Sequence, residues 1–579
     1  MKNDLKYLLI VIIACLFLCD CANIVAPTGG AKDVAPPEVK FSEPVNFSTG
    51  FRGNRINIRF DEFIQVQSIN QNLIISPPME EMPKVISRGK FMSIQLPKDL
   101  SDSTTYTLNF GSAIVDITER NPLLDYRFVF STGDFIDSLE IRGQIRNAFD
   151  LKEITDAYIM LYNHYEDSTP LKEKPLYIAR TGKTGEFSLG NLKSGSYKVF
   201  ALKDVNNNYL FDQPNEHLAF LDTLITPQSV TIEKPDTVTP DSVVIRKIKI
   251  NTPDNIELKM FQESRSDQFI SEFKREKPDA CMLVFNLKAE GPVEISPLNF
   301  EAEKWYVPEW NKGHDTLLCW ITDSAVIYFE SVRLAVRYNT NDTAEEKNTA
   351  CDSLVFSYRV PKKPRQQEPD SILTFSTNIK GNGSIDLSGD LIVHLASPAA
   401  YTDTAKIRIY EIVDSVKTVI TPVLFYDSLK IRDYHLNYQW KQDASYNLLI
   451  SHAAYTGYSG MTNDSVSFLF TVEKEENYGT LIFSVKSQEK NLIIQLLTEK
   501  EKPVREFYTD GTEKITIPYL KPGKYVIKAI ADRNNNKSWD TGNYLRRIQP
   551  EKVWYFRDEV NVKAAWDLEL SWEISEEQQ

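Results

Sequence analysis

Two nine-residue stretches carry the side chains best suited to chemistry: Asp204-Val205-Asn206-Asn207-Asn208-Tyr209-Leu210-Phe211-Asp212 and Asp532-Arg533-Asn534-Asn535-Asn536-Lys537-Ser538-Trp539-Asp540. Each places side-chain oxygens at relative positions one, three, five and nine. A hard cation such as Ca²⁺ takes about six to eight oxygens, and loops with this alternation supply them, completed by a carbonyl near position seven and a carboxylate near position twelve. The candidate calcium ligands are therefore Asp204, Asn206, Asn208 and Asp212 in one loop, and Asp532, Asn534, Asn536 and Asp540 in the other. Both depart from the standard twelve-residue calcium loop. Position six is Tyr209 or Lys537 instead of glycine, position twelve is Asn215 or Asn543, and only the first loop has a nearby carboxylate, Glu216. The competing reading is an Asn/Asp-rich turn whose side chains bond their own backbone.

Other chemistry is sparse. The six histidines, His164, His217, His314, His394, His435 and His452, stand at no metal-ligand spacing, and no phosphate-cradling loop or nucleophile elbow occurs. Asp61-Glu62 is a poor acid/base pair, because adjacent strand residues point to opposite faces. Trp305-Tyr306 with Trp310 is the densest aromatic group, read as core packing with glycan stacking as the alternative. Cys281, Cys319 and Cys351 match no zinc spacing and read as small core residues, with Cys319 to Cys351 a candidate bridge.

The amino terminus has the layout of a signal peptide: a short head containing Lys2 and Lys6, the apolar run Leu8 to Leu18, then Cys19-Asp20-Cys21. The run is too short to cross a bilayer core of about 30 Å comfortably as a helix, so cleavage is the better reading. Leu18 lies three residues before Cys21, as a lipoprotein signal peptidase prefers, which makes Cys21 the expected lipid carrier and a covalent lipid the expected modification. Cys19, with Leu16 three residues upstream, is the rival, and Asp20 is an unusual neighbour for the cleavage site. Ala22 rather than Asp follows Cys21, which favours the outer membrane over retention at the inner one and leaves the membrane face open.

The elements that must position these residues are strands. A chain of 579 residues exceeds one hydrophobic core, and its 27 Tyr, 30 Phe and 29 Pro favour strands and turns over long helices. Runs such as Arg55-Ile56-Asn57-Ile58-Arg59-Phe60 and Tyr106-Thr107-Leu108-Asn109-Phe110 alternate with period two, which puts one face of each strand in a core. The expected fold is all-β, a multidomain string of antiparallel β-sandwiches after a lipoprotein signal peptide. The net charge of −14 repels phosphate backbones, so nucleic acid is not an expected partner.

Asp33 with Pro36-Pro37, Phe60-Asp61-Glu62, Ser76-Pro77, Thr105-Tyr106, Ala113-Ile114-Val115-Asp116 and the closing Phe130-Ser131-Thr132-Gly133 resemble the bacterial Ig-like domain of surface-layer proteins and Bacteroidota lipoproteins. That resemblance implies an Ig-like sandwich and no catalysis. Further on, Leu139-Glu140-Ile141-Arg142-Gly143, the Thr184-Gly185 turn and Leu192-Lys193-Ser194-Gly195-Ser196-Tyr197 resemble the carboxypeptidase regulatory-like, transthyretin-like sandwich.

The last element recurs as Leu520-Lys521-Pro522-Gly523-Lys524-Tyr525, 328 residues later, and the same register carries the first Asp/Asn loop onto the second. Upstream, Tyr106, Leu108, Ala113, Phe128 and Phe130 match Tyr446, Leu448, Ala453, Phe468 and Phe470 at an offset of 340. The chain therefore divides into a signal peptide (1–20), a tether (21–37), an Ig-like domain (38–134) and a transthyretin-like domain (138–226). A linker (227–243) and an unassigned β domain (244–366) follow, then a second Ig-like domain (370–474) and a second transthyretin-like domain (478–575).

The resulting functional expectation is a non-enzymatic, lipid-anchored outer-membrane protein acting as a structural or protein-interaction scaffold, accessory to envelope proteins such as a barrel or its assembly machinery. A cell-surface adhesin or glycan-binding module is the alternative. An enzyme with a site in the middle domain is the remote one.

Overall fold

The computed structural model describes residues 32–239, 242–264, 268–289, 291–340, 348–358, 372–387, 389–427, 430–442 and 444–575. Cys19, Cys21, the signal peptide and most of the tether lie outside the described residues. Strand makes up about 52% of the chain and helix about 4%, so the fold is all-β. The chain separates into two compact units, one ending at Met260 and the other containing Phe261 onward with two short segments, 147–152 and 213–217.

The first unit opens with β1 (Val39–Glu43), β2 (Arg55–Phe60), β3 (Ile64–Val66), β4 (Ile74–Ser76), β5 (Lys84–Arg88), β6 (Phe91–Gln95), β7 (Thr105–Asn109), β8 (Ile114–Asp116) and β9 (Arg127–Ser131). These form a four-stranded sheet in the order β1-β2-β6-β5, a three-stranded sheet β4-β7-β9 and the pair β3-β8. The alternation works as expected: Ile56, Ile58 and Phe60 of β2 are buried with Met92 and Ile94 of β6, while Arg55, Asn57 and Arg59 face out. Phe110, Phe128 and Phe130 fill the layer between the sheets.

A seven-stranded sheet follows. It is built from β10 (Leu139–Asn147), β11 (Tyr158–Tyr162), β12 (Tyr177–Arg180), β13 (Glu186–Leu192), β14 (Lys198–Lys203), β15 (His217–Phe220) and a late strand. Ile141 and Leu189 share one core with Ile159, Leu161 and Val199, so the sheet's two ends pack face to face. Two expectations are corrected here. The stretch 227–243 is no linker: β16 (Gln228–Thr239) and β17 (Ser242–Thr252) form a two-stranded hairpin whose pairing runs from Gln228↔Thr252 to Thr239↔Ser242. Its proline steps read as a linker, but each strand of a two-stranded ribbon bonds on one side only, so proline is tolerated where its missing N–H would face outward. The late strand, β18 (Ile256–Gln262), was expected in the middle domain; it lies between β15 and β10, with Ile256, Leu258 and Met260 in that core.

In the second unit the middle domain is a two-sheet antiparallel fold. Ile270–Lys277, Ala280–Phe285, Thr316–Ile321 and Tyr306–Trp310 make one sheet, and Glu294–Pro297, Ser331–Thr340 and Asn348–Ser357 the other. Cys281 and Cys319 sit opposite each other on neighbouring strands, fully buried, and burial pushes the Cys281 thiol up to about 12 and raises Cys319 as well. The candidate bridge from Cys319 to Cys351 is not formed. Cys351 shares the outward face of its strand with Val355, while Leu354 and Phe356 point to the core.

The second Ig-like region repeats the strand order of the first in both main sheets. Its four-stranded sheet runs Phe375–Thr377, Leu391–Leu395, Lys430–Asn437, Val423–Asp427, the counterpart of β1-β2-β6-β5. Ile407–Val413, Ser445–Ile450 and Val466–Val472 repeat β4-β7-β9, with Val416–Ile420 added at one edge and Ser384–Ile385 at the other. In the final region Gly479–Ser487 pairs parallel with the last strand, Asp567–Ile574, which closes that core as β18 closes its counterpart.

A tyrosine hydroxyl closes a corner in each of these four regions. The Ser101 N–H donates to the Tyr106 hydroxyl at 2.9 Å and the Lys441 N–H to the Tyr446 hydroxyl at 2.9 Å. Tyr197 donates to the Lys193 carbonyl at 2.8 Å and Tyr525 to the Lys521 carbonyl at 2.7 Å. We expect Tyr106→Phe to cost about 1 kcal/mol by orphaning the Ser101 amide, read as a lower urea midpoint for its domain. Tyr446→Phe should cost more, because the buried Glu411 also accepts from that hydroxyl, at 3.4 Å. Among Cys281, Cys319 and Cys351, a maleimide at about pH 8 should label only Cys351 in the native chain; labelling of all three without denaturant would contradict the packing.

Candidate functional site

The two Asp/Asn loops leave equivalent strands, β14 in one case and Gly523–Ala531 in the other, and adopt one conformation. Asn207 and Tyr209 have φ of 59° and 64°, and Asn535 and Lys537 have 58° and 64°. Position six thus takes the left-handed backbone without glycine, at roughly 1–2 kcal/mol per residue. The leading aspartate offsets that strain: Asp204 accepts from the backbone N–H groups of Asn206, Asn207 and Tyr209 at 3.1, 2.6 and 2.8 Å. Asp532 accepts from Asn536 at 3.0 Å and Lys537 at 2.9 Å.

The structure brings all eight predicted residues together in two sets of four. Asn206 and Asn208 donate their side-chain amides to the Asp212 carboxylate at 3.0 and 2.7 Å. Asn534 and Asn536 do the same to Asp540 at 2.6 and 2.8 Å. In this arrangement the side chains bond one another and their own backbone, as the turn reading expects. Holding a cation requires both amides to turn so that Oδ1 faces inward, an exchange the near-symmetric amide permits.

One participant escaped the sequence reading. Glu551, 5% exposed, accepts from the Arg533 N–H at 2.7 Å and from the Asp540 N–H at 3.0 Å, which puts a third carboxylate against the second loop. Burial raises its carboxyl above the ordinary range, against the pull of those two N–H groups, and the charges of Asp540 and Asp532 raise it further. The available signal was positional. Glu216 and Glu551 both stand just before a strand, His217–Phe220 or Val553–Tyr555, but the segment between loop and glutamate is longer in the second copy. Glu216 is likewise buried, at 1% exposure, and accepts from the Gln213 N–H at 3.1 Å. Among the described residues no group of three or more His, Cys, Asp or Glu side chains is placed to hold a metal by itself, so any cation here needs the asparagine oxygens too.

The junctions between neighbouring domains are the other built feature. In the first unit Asp137, 9% exposed, accepts from the Thr105 hydroxyl at 2.8 Å, and its carbonyl accepts from Asn191 at 2.8 Å. Lys193 donates to the Ser103 carbonyl at 2.6 Å, and the Ile178 N–H donates to the Ser76 hydroxyl at 3.1 Å. In the second unit Asp386 takes Lys380 at 2.8 Å, the Tyr478 hydroxyl at 2.7 Å and Lys521 at 3.3 Å. Lys193 and Lys521 occupy the same position of the repeated Leu-Lys-x-Gly-x-Tyr element, and both reach back to the preceding Ig-like domain. Within the second unit, Arg432 clamps Glu309 of the middle domain at 2.8 and 3.2 Å and lies 5.0 Å over Trp320.

Other candidates dissolve. Trp305 is 1% exposed in the middle-domain core with Tyr306 and Trp310 packed against it, and Trp310 stacks on His314 at 4.1 Å, in agreement with the packing reading of that aromatic group. A solvent-open cleft of 1020 Å³ in the first unit is lined by Arg142 and Arg180 among others. Those cations are committed, Arg142 to Glu140 at 3.0 Å and Arg180 to the Gln71 carbonyl at 2.8 Å.

Residues 33–132 match the family profile of the bacterial Ig-like domain, Big_5. No curated protein matches the chain. Among solved structures the major pilin subunit BcpA of Bacillus cereus aligns at 11% identity over 75% of this chain and 99% of that one, with a TM-score of 0.14. The TIE protein of Bacillus anthracis aligns at 12% over 94% and 76%, with a TM-score of 0.12. The S-layer protein rSbsC(31-844) aligns at 10% over 90% and 67%, with a TM-score of 0.13. Likenesses this distant carry no argument about arrangement or function.

Because the Glu551 carboxyl is raised in the fold, the stability it contributes is complete in acid and is lost as pH climbs from its ordinary 4.5 through the raised value. In EDTA, the melting temperature of Glu551→Gln relative to the parent should therefore shift upward between about pH 4 and neutrality. A difference independent of pH, measured by calorimetry, would contradict the burial of an ionising group.

Proposed function

We propose that this protein is a non-enzymatic, lipid-anchored bacterial envelope protein, of the Bacteroidota type, whose Ig-like and transthyretin-like units form a scaffold for other envelope proteins. The observation that carries the reading is the repeated two-domain unit whose junction is pinned in both copies by the same lysine, Lys193 or Lys521. A sandwich pair held by an aspartate and its donors, Asp137 buried in one copy and Asp386 half-buried in the other, would behave as one stiff segment, and stiffness is what a spacer or docking platform requires. The match of residues 33–132 to the bacterial Ig-like domain agrees with a structural role. The lipid is assigned to Cys21, the membrane to the outer one, and the partner class to outer-membrane proteins.

Calcium belongs to the same proposal. The second loop offers Asp532, Asp540 and Glu551 as charged oxygens, with Asn534 and Asn536 as neutral ones, a donor set of the hard type that calcium selects. Its role is stiffening rather than catalysis, since a cation that binds only the folded loop stabilises the fold by mass action.

Metabolic labelling with a fatty-acid analogue should mark the parent protein and Cys19→Ala but not Cys21→Ala. Label retained in Cys21→Ala and lost in Cys19→Ala would move the anchor. Pull-down from gently solubilised envelopes should recover stoichiometric membrane proteins, and recovery of a bare monomer would count against the scaffold. Millimolar calcium should raise the melting temperature of the parent by several degrees and leave Asp532→Ala/Asp540→Ala unmoved if only that loop binds tightly; equal behaviour of parent and variant would remove the second loop from the proposal.

A further inference from the structure

The outer face of the sheet β1-β2-β6-β5 has a composition that its fold does not call for. The pairing places Phe41 opposite Arg59, Arg59 opposite Phe91 and Phe91 opposite Arg88. Directly opposed residues share a face, so one row across four strands reads Phe, Arg, Phe, Arg. Phe41 is 57% exposed and Phe91 54%, and the Arg59 guanidinium carbon lies 5.7 Å from the Phe91 ring centre. The adjoining rows add Glu43, Asn57, Ser93 and Ile86, then Arg55, Gln95 and Lys84. Four cations, Arg55, Arg59, Lys84 and Arg88, thus share this face with one anion, in a chain whose net charge is −14. Among the described residues none of the four has a carboxylate partner, and Arg55 donates only to Gln95, at 3.1 Å.

The duplicated sheet provides the control. On the counterpart face the corresponding row is Ser376, His394 and Asp433, and the exposed phenyl of the next row, Phe425, stacks on His435 instead of alternating with arginine. The sandwich therefore folds without an aromatic and arginine alternation. Single exposed phenyl rings are ordinary in this chain, Phe47, Phe63 and Phe135 among them, but two in one row alternating with arginines that have no carboxylate partner among the described residues form a patch suited to an anionic occupant.

We propose that this face binds an anionic polysaccharide, its pyranose rings stacked on Phe41 and Phe91 and its carboxylates held by Arg59 and Arg88. The rings lie two strand spacings apart, about 10 Å, on the order of one disaccharide step of an extended chain. Arg59 between them then meets the acid group of the intervening sugar. A guanidinium fork matches a carboxylate in two-point contact, and an aromatic face accepts the weakly positive C–H face of a sugar. Asn57 and Ser93, already bonded to each other at 2.9 Å, offer hydroxyl partners in the next row. A lipid surface fits less well, because its occupant apolar groups must descend about 5–10 Å into the headgroup boundary, and these rings stand in one cross-strand row with cations between and beside them. The inference goes beyond the scaffold reading and depends on neither the lipid anchor nor calcium.

Affinity electrophoresis of the purified full chain in gels containing alginate, with dextran gels as the neutral control, tests it. The parent should be retarded by alginate and not by dextran, with retardation falling as salt is added. Phe41→Ala/Phe91→Ala, which keeps every charge, and Arg59→Gln/Arg88→Gln, which keeps both rings, should each weaken binding at least tenfold while melting like the parent. No retardation of the parent, or retardation unchanged in the aromatic variant, would overturn the proposal. So would co-sedimentation with phosphatidylglycerol vesicles that the aromatic variant abolishes, since the rings would then serve a membrane. Failure here would leave the lipid-labelling and pull-down outcomes untouched.

Discussion

A phenol ring packed on a core can send its hydroxyl to the backbone beside it, and in this chain that pairing recurs at the corner of four sandwiches. Tyr106 and Tyr446 accept a backbone N–H five residues back, while Tyr197 and Tyr525 donate to a carbonyl four residues back. In each case the ring adds apolar bulk to the core and the hydroxyl fixes the course of the chain outside it. A strand that enters one residue out of register turns its whole apolar set to solvent, so a corner that sets the entry point protects the register of everything after it. The two Ig-like regions keep the same strand order despite different loops because the corner and the alternation are both retained.

The same economy appears at the junctions. Lys193 and Lys521 belong to the turn that the tyrosine corner fixes, so the corner also aims a cation at the preceding domain. Their targets differ, a carbonyl in one copy and the Asp386 carboxylate in the other. What is retained is the geometry of the reach.

The loops were legible because their ligands are local. Oxygens at alternating positions within nine residues declare themselves in the sequence, and the offset of 328 lines up both copies. Glu551 was not legible, since the segment between loop and glutamate differs in length between the copies and only the sheet brings it back to the loop. Proline misled in the other direction. The Lys234-Pro235 step in 227–243 reads as part of a linker, whereas its backbone pairs with Arg246 and Ile245. The aromatic group Trp305, Tyr306 and Trp310 packs with the middle-domain core as its preferred reading expects, while Phe41 and Phe91, unremarked in the sequence, are among the exposed rings.

By itself the sequence determined the strand content, the faces of individual strands, the duplication and the composition of the two loops. These depend on neighbours within a few residues or on self-similarity, both readable along the chain. Only the tertiary structure decided which late strand closes each sandwich, which carboxylate joins a loop, and that four separate strands line up Phe41, Arg59, Phe91 and Arg88 in one row. Those outcomes depend on cross-strand register between residues far apart in the chain, Thr480 and Asp567 among them, set by the combined geometry of loops and cores, and no local pattern encodes it.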